Sequence, residues 1–80
     1  MLAYVLFKVE LGAEGEVLKV LEDISQVKEA YIIYGTYDII AKVEFEKVLD
    51  LGDLVLSLRR KCKEKIKDTV TMIVAKGFSR

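Results

Sequence analysis

Four strand-like runs carry apolar side chains on both of their faces, and this constrains the fold more than any other feature of the chain. In residues 3–10, Ala3, Val5, Phe7 and Val9 alternate onto one side and Tyr4 and Leu6 onto the other. In residues 27–34, Ala30, Ile32 and Tyr34 oppose Tyr31 and Ile33. In residues 38–45, Ile39, Ala41 and Val43 oppose Ile40, and in residues 69–76, Val70, Met72 and Val74 oppose Ile73 and Ala75. The runs are rich in aromatic and β-branched types, as strands require. An antiparallel sheet with one wet face alternates apolar with polar residues. Here the alternation fails, so each face of the sheet calls for a cover.

Helices between the strands supply only one of those covers. Val17, Leu18, Leu21 and Ile24 recur at i, i+1, i+4 and i+7, so residues 14–24 read as an amphipathic helix with Glu14 and Glu16 in its first turn. Leu51, Leu54, Val55, Leu58 and Cys62 mark a second one, starting near residues 46–50. The element order is then βαββαβ, which predicts a ferredoxin-like α+β fold: a four-stranded antiparallel sheet with two helices on one face. The other face would bare Tyr, Leu and Ile side chains from every strand. Monomers rarely leave such a patch uncovered, so the sequence predicts a homodimer in which a second copy covers it about a two-fold axis.

Composition removes several function classes. Eighty residues make one domain, residues 1–80, which buries only about 60% of its unfolded surface. With a single cysteine, Cys62, no intrachain disulfide exists, which leaves oligomerisation as the available stabiliser. Histidine is absent, which excludes His-based triads and the common zinc sites. No metal or other cofactor is expected. Thirteen acidic and thirteen basic residues cancel, a poor footprint for direct nucleic-acid binding. Lys61 to Lys67 concentrate basic residues, but Glu64 and Asp68 dilute them and the position suits a helix C-terminus. No apolar run approaches the roughly 18 residues that span a bilayer, and no signal peptide opens the chain, so no membrane is involved and the cytoplasm is expected. Abundant Lys and Glu with scarce amides fit a thermophile.

Between the two middle strands lies Tyr34-Gly35-Thr36-Tyr37-Asp38. Gly35 suits a tight bend that needs positive φ. Asp38 sets a carboxylate where the bend enters a strand, beside free backbone N–H groups and two tyrosines. A small zwitterion needs both a carboxylate and N–H donors, and this turn offers both. Most such hairpin bends are only bends, so the local pattern leaves both readings open.

The middle segment VKEAYIIYGTYDIIAKVE and the last strand TVTMIVAK resemble the effector-binding (RAM) domain of the Lrp/AsnC transcriptional regulators. The resemblance covers residues 2–76, and its most specific part is Gly35-Thr36-Tyr37-Asp38 followed by an apolar strand, with Thr69 and Thr71 opening the last one. It implies sheets packed face to face in a barrel-like dimer, and higher assembly, often an octamer of four dimers. It also implies an amino-acid effector bound between dimers near the hairpin. On that analogy Gly35 and Tyr37 supply backbone groups, Asp38 accepts from an α-ammonium, and Tyr34 and Thr36 flank the pocket. Thr69, Thr71 and Met72 contribute from the same or a neighbouring subunit. The usual regulator has an N-terminal helix-turn-helix domain, and a first strand at Ala3 leaves no room for one, so a partner such as a full-length regulator is implied. Asp38→Ala is expected to abolish amino-acid binding and leave the fold intact. Two alternatives stay open: an oligomerisation module without a ligand, and a small ferredoxin-like dimeric enzyme. Against the enzyme, Cys62 sits on an apolar helix stripe, as a core cysteine would.

Overall fold

A computed structural model describes residues 1–80. The elements run β1 (Leu2–Val9), α1 (Glu14–Glu22), β2 (Val27–Ile32), β3 (Ile39–Glu44), α2 (Val48–Cys62), a 3₁₀ turn (Lys63–Lys65) and β4 (Ile66–Ile73). The sheet is antiparallel in the order β2-β3-β1-β4, with the helices on one side, the expected ferredoxin-like arrangement.

The buried face of the sheet is the one set by alternation. Ala3, Val5 and Phe7 of β1 and Ile39 and Ala41 of β3 have no exposed surface. They pack with Val17 and Leu21 of α1 and with Leu51, Leu54, Leu58 and Cys62 of α2. No polar or charged side chain is buried. Burial pushes the Cys62 thiol above its ordinary pKa, and the nearby Glu16 carboxylate adds to the rise. Cys62 is 4% exposed. A thiol-specific reagent is therefore expected to modify it only as fast as the protein opens, and rapid modification of native protein would contradict this packing.

Several element ends differ from the periodicity, most of them by one or two residues. α1 ends at Glu22 rather than residue 24, because its last turn tightens: Asp23 N–H donates to the Val20 carbonyl at 3.2 Å and Ile24 N–H to the Leu21 carbonyl at 3.1 Å. β2 stops at Ile32, where the chain turns into the hairpin loop. The last strand is displaced most, to Ile66–Ile73 from the expected 69–76. Its start is drawn in by buried Ile66, paired with Val9 across a bulge at Lys67. Its end is set by β1: Ile73 pairs with Ala3 and Val74 N–H reaches the Leu2 carbonyl at 2.9 Å, after which β1 offers Ala75 and Lys76 no partner. Thr69 and Thr71 therefore lie inside β4 instead of opening it. α2 begins within the expected window, where Lys47 N–H donates to the Asp50 carboxylate at 3.2 Å.

The far side of the sheet has no cover within the chain. Leu6 lies at its centre, flanked by Ile40 on β3 and Val70 on β4. Tyr4, Met72 and Tyr31, the last of them 55% exposed, extend the apolar surface. One polar group interrupts it. The Tyr31 hydroxyl donates to Glu29 at 2.7 Å and the Lys42 ammonium to the same carboxylate at 3.4 Å. These contacts, Tyr31 first, hold the Glu29 carboxyl below the usual carboxylate range.

Candidate functional site

The 34–38 stretch is a loop at one end of the sheet, pinned from three directions. Ile33 N–H donates to the Asp38 carbonyl at 2.9 Å and closes the hairpin. Asp38 N–H donates to the Phe7 carbonyl at 2.9 Å, which continues the β1–β3 ladder. The Lys8 ammonium donates to the Thr36 carbonyl at 3.1 Å. Gly35 takes φ +150°, a region costly for any residue with a Cβ, and a Cβ there would meet no atom within 4 Å. Gly35→Ala is therefore expected to cost about 1–2 kcal/mol through backbone strain alone. A thermal melt checks this, and an unchanged midpoint would show that the loop relaxes without loss.

Asp38 does more than its place in the sequence suggested. Its Oδ2 accepts the Val9 N–H at 2.9 Å, so the carboxylate terminates the β1–β3 ladder where a backbone carbonyl would otherwise be needed. This corrects the expectation that Asp38→Ala leaves the fold untouched. The variant strands a part-buried donor. No hydrogen bond in the chain engages the other carboxylate oxygen. Around it, Tyr34, Gly35 and Thr36 are exposed, and Tyr37 and Asp38 are half-buried.

The remaining candidate residues do not converge on this loop within one chain. Thr69 is paired with Phe7 and Thr71 with Val5, so both lie on the helix side of β4. Met72 is paired with Tyr4 on the open side. Thr69 stands two strand spacings, roughly 10 Å, from Ile39 at the base of the loop. Its hydroxyl faces the Arg59 guanidinium at 3.4 Å. Met72 lies toward the opposite end of the strand. Tyr34 to Asp38 thus lie together on one loop, and Thr69, Thr71 and Met72 lie away from it within the chain.

Two groups beside the loop escaped the sequence reading. Lys8 interrupts an otherwise apolar face after Tyr4 and Leu6, and that break in the pattern was its only signal. The Val9 amide carried none, since its partner lies 29 residues away. A cleft of about 850 Å³ lies at the other end of the sheet, between the end of α1 and α2. It is open to solvent, and charged groups such as Asp23, Glu44, Asp50, Asp53, Lys28 and Lys61 line it. No group of His, Cys, Asp and Glu is placed to hold a metal ion, and no helix is long and apolar enough to cross a membrane.

Residues 2–80 match the family model described as the Lrp/AsnC ligand binding domain. Among solved structures, FFRP-DM1 is 39% identical over 92% of this chain and 97% of its own, with a TM-score of 0.83. The hypothetical protein PHS023 from Pyrococcus horikoshii is 38% identical over 95% of this chain and 90% of its own, with a TM-score of 0.82. AsnC of E. coli, at 25% identity and a TM-score of 0.88, aligns with 99% of this chain, which spans 54% of that longer protein. No curated protein matches the chain. The fold, the hairpin loop and a family match over nearly the whole chain agree, and the chain belongs to the Lrp/AsnC ligand-binding domain family, a family of regulatory effector-binding modules.

Proposed function

We propose that this chain binds an amino acid at the Tyr34–Asp38 loop and assembles through its open sheet face, acting in the regulation of transcription or amino-acid metabolism. The observation that carries the reading is the divided use of Asp38. One oxygen is held by the Val9 amide, which fixes the side chain, and the other is free beside exposed backbone. A carboxylate held this way is pre-organised to accept from an α-ammonium group. The Lys8 ammonium, which reaches the loop from β1, and the amides of Gly35 and Thr36 suit the α-carboxylate. An uncovered apolar sheet face favours a face-to-face homodimer, and dimers meeting near the loops would bring Thr69, Thr71 or Met72 of a neighbour toward it. A ring of four such dimers and mixed assembly with a full-length regulator extend the same reading. The module would work in the cytoplasm, without catalysis and without contacting nucleic acid itself.

Calorimetric titration with the twenty amino acids tests the ligand. Saturable heat from at least one of them is expected. Absence of heat and of any thermal shift across the set would leave an oligomerisation module without a ligand.

A further inference from the structure

The outward face of α2 carries features that nothing inside the chain accounts for. Leu49 and Leu56 lie two turns apart on the stripe opposite the buried Leu51, Leu54 and Leu58, and are 72% and 53% exposed. Gly52 sits between them in the helix interior, where glycine costs about 1 kcal/mol relative to alanine. A Cβ at Gly52 would meet no atom within 4 Å, and its φ lies outside the left-handed region, so neither packing nor backbone geometry within the chain requires glycine. A glycine inside a helix leaves room for a close approach by another backbone. The two ends of this face are oppositely charged. Glu46 just precedes its N-terminal end and Asp53 borders its N-terminal half, and Arg60 lies in its C-terminal half with Lys63 just after it. Glu46 and Arg60 are exposed, and the ion pairs of the chain, Lys42–Glu29 and Lys65–Glu16, involve neither.

We propose that this face is an assembly surface whose occupant is α2 of a second copy, crossing antiparallel about a two-fold axis near Gly52 and Leu56. Reversing one helix against the other sets each acidic end beside a basic end, twice over by symmetry, and a parallel crossing would set like charges together. Glu46 then faces the partner's Arg60. Leu56 of each copy seats in the hollow above Gly52 of the other, where a side chain would hold the helices apart. A single exposed leucine calls for no explanation. Two on one stripe, flanking an unforced glycine and lying between opposite charges, form a self-complementary surface. It lies on the helix side of the molecule, away from the open sheet face, so both surfaces can be occupied at once. The proposal is independent of the ligand reading.

Sedimentation equilibrium from micromolar to millimolar concentration tests it. The wild-type chain is expected to form a species that Leu56→Glu removes or weakens by about tenfold or more, with unchanged circular dichroism, since Leu56 takes no part in the core. Gly52→Ala separates an interface from a merely tolerated glycine. It is expected to raise the thermal midpoint through helix propensity and at the same time to weaken association. Glu46→Arg weakens association, and adding Arg60→Glu restores it. Wild-type assembly whose size and affinity Leu56→Glu leaves unchanged, or that is untouched by Gly52→Ala, would overturn the proposal. So would a wild-type chain whose only association is the one that the sheet-face variant Leu6→Glu abolishes. Association that survives Leu6→Glu and is lost in the double variant Leu6→Glu/Leu56→Glu would keep this proposal.

Discussion

Asp38→Asn is expected to keep the stability of the fold and weaken ligand binding, and Asp38→Ala to lower both. The two variants separate the two uses of one side chain. Asparagine retains an oxygen that accepts the Val9 amide, now held at 2.9 Å by the carboxylate, so the end of the β1–β3 ladder survives. It removes the negative charge that an α-ammonium requires. A charge-assisted hydrogen bond contributes about 1.5–3 kcal/mol, which corresponds to a loss of roughly ten- to a hundredfold in affinity. Alanine removes the acceptor altogether and leaves the Val9 N–H part-buried and unpaired, at a cost of about 1–3 kcal/mol. For a domain of this length that lowers the melting midpoint by roughly 4–8 °C per kcal/mol. Thermal melts and calorimetric titrations of the two variants check both halves. Equal affinity in Asp38→Asn and wild type would take the charge out of the site. Equal stability in Asp38→Ala would mean that water replaces the carboxylate at Val9.

Leu6→Glu is expected to abolish association through the open sheet face. Leu6 is the middle residue of the open face, directly between Ile40 and Val70. In a sheet-on-sheet dimer its side chain would lie at the two-fold centre, where truncating or charging an anchor has its largest effect. A carboxylate buried there without a partner costs several kcal/mol, and two of them face each other across the axis. Association should weaken by about a thousandfold or more. The isolated protomer should change little, because Leu6 is half-exposed and outside the core. Sedimentation equilibrium gives the mass directly. A wild-type chain that sediments as a monomer at micromolar concentration, or a Leu6→Glu chain whose assembly size and affinity equal the wild type's, would reject pairing through this face.

These two expectations rest on different kinds of sequence information. The open face was legible because it is a pattern: strand alternation repeats every two residues, and a failure of that alternation in four strands shows without knowing their order. The same pattern located Ala3, Val5, Phe7 and Val9 in the core. The loop was legible as a bend through Gly35 and as a candidate site through Asp38. Strand ends were less legible. The last strand was misplaced by three residues because its extent depends on where β1 begins and on a bulge at Lys67, neither of which is a local property.

What the chain determines locally is the order of its elements, the buried side of each, and the position of a glycine-containing bend that ends in a carboxylate. These follow from side-chain periodicity and from the φ restriction that a Cβ imposes. What only the tertiary structure decided is how Asp38 is used and which residues accompany it. Its Val9 partner is 29 residues away in the chain, and the turn carbonyl that Lys8 reaches is 28 residues from that lysine. Thr69 and Thr71, which look like neighbours of Met72 in the sequence, are set on the opposite face from it by strand parity and far from the loop by sheet order. Hydrogen bonds between distant segments form only after the sheet has chosen its register, so no reading of adjacent residues can contain them.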